Sequence, residues 1–78
     1  MQTNVRTIHG AFILSGRHLV VRAADGAEWV GPRITSTFYV TETGEIELRT
    51  INGGVAYVLP TDLIEVCDYS HPYGGELS

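Results

Sequence analysis

The chain has 78 residues, with nine carboxylates against five basic side chains, all of them arginine, for a net charge of −4. That balance argues against a protein that grips nucleic acid through phosphates, which takes a concentrated positive surface. A domain this small buries only a modest core. Its single cysteine, Cys67, excludes an internal disulfide and any cysteine-built zinc site, so a homo-oligomer is the expected remedy for marginal stability.

No basic segment precedes an apolar run, and the most apolar stretch, residues 11–14, is far too short to cross a bilayer. A soluble cytoplasmic protein with no membrane partner is the expectation. Residues 1–67 read as one β-barrel domain that begins with an arm or strand over 1–14. Within that arm Val5, Ile8 and Phe12 surround Gly10, and the β-branched content favours an irregular strand, with a short helix as the alternative.

Residues 18–24 alternate as a strand, and Asp25-Gly26 predicts a two-residue hairpin turn that sets Arg22 opposite Trp29, a cation over an indole. Gly31-Pro32 interrupts the return strand with a sharp bend, because proline cannot donate to a ladder. Beyond it Ile34, Phe38 and Val40 share one face, and Thr35, Thr37, Tyr39 and Thr41 share the other. A turn at Glu42-Thr43-Gly44 leads to the most legible stretch, residues 45–66. There Glu45, Ile46, Glu47, Leu48 and Arg49 alternate, and Asn52-Gly53-Gly54 supplies a tight hairpin.

The returning strand, residues 55–59, is apolar throughout and asks for cover on both faces. A two-residue loop at Asn52-Gly53 pairs Thr50 with Val55, Leu48 with Tyr57 and Ile46 with Leu59, which turns Ala56 and Val58 outward. A slip by one residue reverses those roles and still leaves an apolar face. Pro60 marks a single 3-10 turn, after which Leu63, Ile64 and Val66 close the sheet. Residues 68–78 have turn composition and read as a C-terminal tail, ordered only if it docks. The expected fold is therefore all-β: a small, five-stranded, strongly bent barrel with a 3-10 turn before the last strand.

This order of elements resembles the SH3-like barrels and, among them, the Sm-like proteins of the Hfq and Lsm type. Val20-Val21-Arg22, Asp25-Gly26, Trp29 and Gly31 resemble the first Sm motif, and residues 46–66 resemble its second half. Tyr57 stands where the Hfq signature has its tyrosine, while Val58 and Leu59 stand where that family carries the lysine and histidine of its RNA contacts. The resemblance implies the barrel and a ring-like assembly; an Sm-like RNA-binding ring is one alternative it raises. Plasmid-type, trimethoprim-resistant dihydrofolate reductases are a second, remote resemblance. Of their Val-Gln-Ile-Tyr-Pro signature only Pro60 is identical, Tyr57 and Leu59 replace the substrate-facing glutamine and tyrosine, and the chain has no lysine for cofactor phosphates.

Candidate chemistry is sparse. His9, His18, His71 and Cys67 show no ligand spacing, so no metal is expected, and Cys67 needs an adjacent base to act as a nucleophile. Glu45 and Glu47 share a strand face with Arg49 and read as solubilising charge rather than as an acid–base pair. Gly53-Gly54 and Gly74-Gly75 precede no helix that would help cradle a phosphate. No cofactor and no enzymatic activity are expected.

What remains is aromatic residues interleaved with arginine, the usual anchors of protein interfaces, which also stack bases. The candidate partner or oligomer interface is Trp29, Tyr39, Arg49, Ala56, Tyr57, Val58, Tyr69 and Tyr73, with core positions as the alternative for Trp29 and Tyr57. The leading expectation is a non-enzymatic binding module that self-associates and binds a macromolecular partner, protein or, against the charge balance, RNA. A small acidic inhibitor carried by a phage or mobile element is a further alternative.

Overall fold

The computed structural model describes residues 4–76. They form an all-β structure of seven strands: β1 (Arg6–His9), β2 (His18–Arg22), β3 (Glu28–Val40), β4 (Glu45–Thr50), β5 (Val55–Val58), β6 (Leu63–Cys67) and β7 (Gly75–Glu76). All pairings are antiparallel, in the order β1-β6-β2-β3-β4-β5, with β7 added beside β3. This corrects the expected five-stranded barrel: the sheet is open, with outer edges at β1 and β5. The 3-10 turn also moves. It lies at Gly10–Phe12, and the Pro60 region is a simple turn closed by the Asp62 amide donating to the Leu59 carbonyl at 3.1 Å. The two are neighbours, because the Gly10 and Ala11 amides donate to the Asp62 and Pro60 carbonyls.

Strand β3 runs unbroken through Gly31-Pro32, so the expected interruption is instead a bulge. Val30 pairs with Val20 and Arg33 with His18, which leaves Gly31 and Pro32 opposite Leu19 alone. A second bulge inserts Thr35 between Ile34, which pairs with Thr50, and Ser36, which pairs with Arg49. One extra residue reverses every later side chain. Ile34 and Thr37 therefore share the inner face, while Phe38 and Val40 turn outward, contrary to the simple alternation. The inner face closes on a core of Ile13, Ile34, Ile46, Leu48 and Val66, flanked by Ile8, Leu19, Ala56, Val58 and Ile64.

Both tight hairpins differ from expectation in the same way. The Gly26 amide donates to the Ala23 carbonyl and the Ala23 amide to the Ala27 carbonyl, so the loop has three residues rather than two. Val21 faces Trp29, and Arg22 faces Glu28. The Thr50 to Gly54 loop repeats that pattern, and Arg49 pairs with Val55, Leu48 with Ala56, Glu47 with Tyr57 and Ile46 with Val58. Ala56 and Val58 consequently enter the core, and Tyr57 is the residue that faces out.

The tail as far as Glu76 is docked. β4 ends at Thr50, well short of the start of β3, and β7 fills that vacant edge by pairing Trp29 with Glu76 and Val30 with Gly75. The Arg33 amide donates to the Pro72 carbonyl at 2.8 Å, Arg6 lies 3.8 Å from Asp68, and Tyr69 stacks edge-on against the fully buried His18. Residues 77–78 lie outside the described residues.

Candidate functional site

Three cross-strand rows define the outward face of β3, β4 and β5. Phe38, Glu47 and Tyr57 lie side by side, Ser36, Arg49 and Val55 form the next row, and Val40 and Glu45 the one before. Phe38, Val55 and Tyr57 are each more than half exposed, whereas the Glu47 side chain is only 13% exposed between the two rings. Its carboxylate is fully engaged: Arg49 Nε donates to Oε2 at 2.7 Å and the Tyr57 hydroxyl to Oε1 at 3.1 Å.

Glu47 and Arg49 thus neutralise each other within the patch, while Glu45 adds negative charge at its border. The Arg49 hydrogen bond holds the Glu47 carboxyl below its usual 4.5, and the hydrogen bond to Glu47 holds the Tyr57 phenol above its usual 10.0. Glu47→Gln is expected to bring Tyr57 down towards 10.0 in an ultraviolet titration of the phenols. Between β2 and β6 Arg22 clamps Glu65 with two hydrogen bonds of 2.7 and 2.8 Å and reaches Glu28 at 3.0 Å, which lowers the Glu65 carboxyl in the same sense. Both carboxylates favour the folded state at neutral pH. That contribution is lost as pH falls from about 4.5 through their lowered values, so acid midpoints of E47Q and E65Q should show a shallower loss of stability.

The other predicted interface residues are dispersed. Trp29 and Tyr73 border a cleft of about 610 Å³ with Val21 and Pro32, between β2 and the docked tail. A smaller cleft of about 230 Å³ shares Val21, Gly31 and Pro32 and continues to Leu19, Val55 and Ala56. Tyr39 sits at the far end of the β3–β4 hairpin, its hydroxyl beside Gly44. Tyr69 is half-buried against His18. Ala56 and Val58 are core-facing, as described. Phe38, in contrast, belongs to the patch and was missed, because only the Thr35 bulge turns it outward.

Four of the arginines are engaged: Arg6 with Asp68, Arg22 with Glu28 and Glu65, Arg49 with Glu47, and Arg33 with the Ser70 carbonyl at 3.4 Å. A phosphate would have to displace a protein carboxylate at three of these positions. Cys67 pairs across the ladder with His18, which is the juxtaposition a thiol nucleophile needs, yet both are buried. Burial, and secondarily Asp68, pushes the Cys67 thiol up and keeps it protonated. His18 Nδ1–H donates to the Gly31 carbonyl at 2.7 Å, since a carbonyl can only accept, and Nε2 has no partner among the described residues. Among the described residues no group of three or more His, Cys, Asp or Glu side chains comes together to hold a metal ion, and no helix is long and apolar enough to cross a membrane. No family model, curated protein or solved structure matches the chain.

Proposed function

We propose that the protein is a non-enzymatic binding module, a small bent β domain of the SH3-like, Sm-like kind that self-associates and binds a macromolecular partner through the outward face of β3–β5. The observation that carries this reading is the Phe38–Glu47–Tyr57 row with Arg49 and Val55. Half-exposed aromatic and aliphatic side chains surround an ion pair that is already satisfied, so covering this row leaves neither Glu47 nor Arg49 without a partner. The succession of hairpin, long bulged strand, hairpin and closing strand over β2 to β6, though its sheet is open, supports the SH3-like, Sm-like kinship.

The patch is tested by sedimentation velocity across the micromolar range on the natural chain and on the double variant Phe38→Ser, Tyr57→Ser. Association of the natural chain and at least a tenfold weakening in the variant are expected, since interface aromatics of this type cost about 2 kcal/mol or more when truncated. A monomer at every concentration would remove self-association from the proposal. Retardation of U-rich or A-rich single strands with a steep salt dependence would turn it towards nucleic acid.

A further inference from the structure

The free edge of β5 carries a pattern of its own. In an antiparallel ladder, residues alternate between those that exchange backbone hydrogen bonds with the neighbouring strand and those whose N–H and C=O point away from it. The Thr50 amide donates to the Gly54 carbonyl, so Gly54, Ala56 and Val58 are directed at β4. Val55 and Tyr57 therefore present their N–H and C=O at the outer edge. The edge is bounded on both sides: Asp62 Oδ2 takes the Leu59 amide at 2.9 Å, the Leu59 carbonyl accepts from the Asp62 amide, and Gly53 turns into the loop with φ +84°.

We propose that a second copy of this chain occupies this edge, β5 against β5, antiparallel about a two-fold axis at Ala56. This rests on the self-association proposed above and specifies its site and register. Val55 of each copy then exchanges both backbone hydrogen bonds with Tyr57 of the other. Ala56 meets Ala56 at the non-hydrogen-bonded position, where strands approach most closely and a small side chain fits.

Three features point to a copy rather than a foreign strand. The exposed donors and acceptors form a symmetric pair about one residue, so the edge is its own complement in antiparallel sense. Residues 53–59 carry no charge, so two copies bring no like charges together, and β5 lacks the lysine, proline or inward charge by which lone edges are usually blunted. The turn that captures the Leu59 amide leaves a window matched in length to its own two residues, where a longer strand would meet Pro60. On the outward face Tyr57 of one copy lands beside Val55 of the other. Both are half exposed in the single chain, and an aromatic beside a β-branched residue is a favourable cross-strand pair.

The register is read by cross-linking. Cα atoms at a non-hydrogen-bonded antiparallel site lie about 4.5 Å apart, within disulfide range. Ala56→Cys, oxidised with glutathione disulfide, is expected to give a reducible covalent dimer, and Glu42→Cys, in the exposed turn far from this edge, is not. Tyr57→Pro removes an outward N–H without touching the β4 ladder, and Val55→Lys charges the edge. Each is expected to raise the dimer dissociation constant at least tenfold in sedimentation equilibrium while the circular dichroism spectrum is retained. If the natural chain associates and Phe38→Ser weakens that association while Ala56→Cys fails to cross-link, the edge register is wrong and the broader patch stands. If the natural chain remains monomeric at high micromolar concentration, the edge pairing falls together with the self-association it rests on.

Discussion

Leu48→Ala is expected to lower the stability by about 3 kcal/mol and the melting temperature by roughly 15–20 °C, which leaves a chain of this size close to unfolded at ambient temperature. Leu48 is fully buried on β4, the strand that joins β3 to β5, and its direct neighbours on the inner face are Thr37 and Ala56. Neither can expand into the space left by the missing side chain. Glu42→Ala, in the exposed turn after β3, provides the comparison and should fall within about 0.5 kcal/mol of the natural chain. Thermal melts followed by circular dichroism decide it. A shift for Leu48→Ala no larger than that of Glu42→Ala would mean that the core is not where Ile34, Ile46, Leu48 and Val66 place it.

The second large effect belongs to the tail. Gly74 has φ +84°, and a Cβ there would run into the Val30 carbonyl oxygen and approach the Gly31 carbonyl oxygen at 2.7 Å. Both the backbone conformation and the space require glycine. Gly74→Ala should detach β7 from β3 with the remaining strands still paired, and with it the Tyr69 ring that lies against His18. The Glu76 amide should lose hydrogen-exchange protection, and Cys67, across the ladder from His18, should react with Ellman's reagent at least tenfold faster than in the natural chain. Unchanged labelling and unchanged protection would show that the tail does not cover this face.

The five strands β2 to β6 were legible because their alternation and turn residues are strong local signals. The register was not, and the reason is the same at both tight hairpins. A two-residue turn of the kind that Asp-Gly and Asn-Gly favour needs positive φ at both residues, and among the described residues only glycines adopt it: Gly26 and Gly53 do, Asp25 and Asn52 do not. The chain therefore uses a three-residue loop with the glycine last, and each ladder moves by one. For the candidate surface this had a direct cost, since it took Ala56 and Val58 into the core and put Val55 beside Tyr57 on the outward face. Thr35 bulges without a glycine or proline to announce it, which hid Phe38. β7 is two residues whose place is set by backbone groups that β4 leaves vacant on β3, and no side-chain pattern reports such a vacancy.

The pairing of β1 with β6 governs the order in which the molecule can be made. Thr7 faces Glu65 and Ile8 faces Ile64, so this ladder joins residues almost sixty positions apart. The loop-closure entropy of so long a span is recovered only after β3, β4 and β5 have already drawn the intervening chain together. The first strand must therefore stay unpaired until β6 has been brought to it. The hairpins of β3–β5 are the natural starting point, and the edge of β5 is exposed from the outset, before any other edge has been covered.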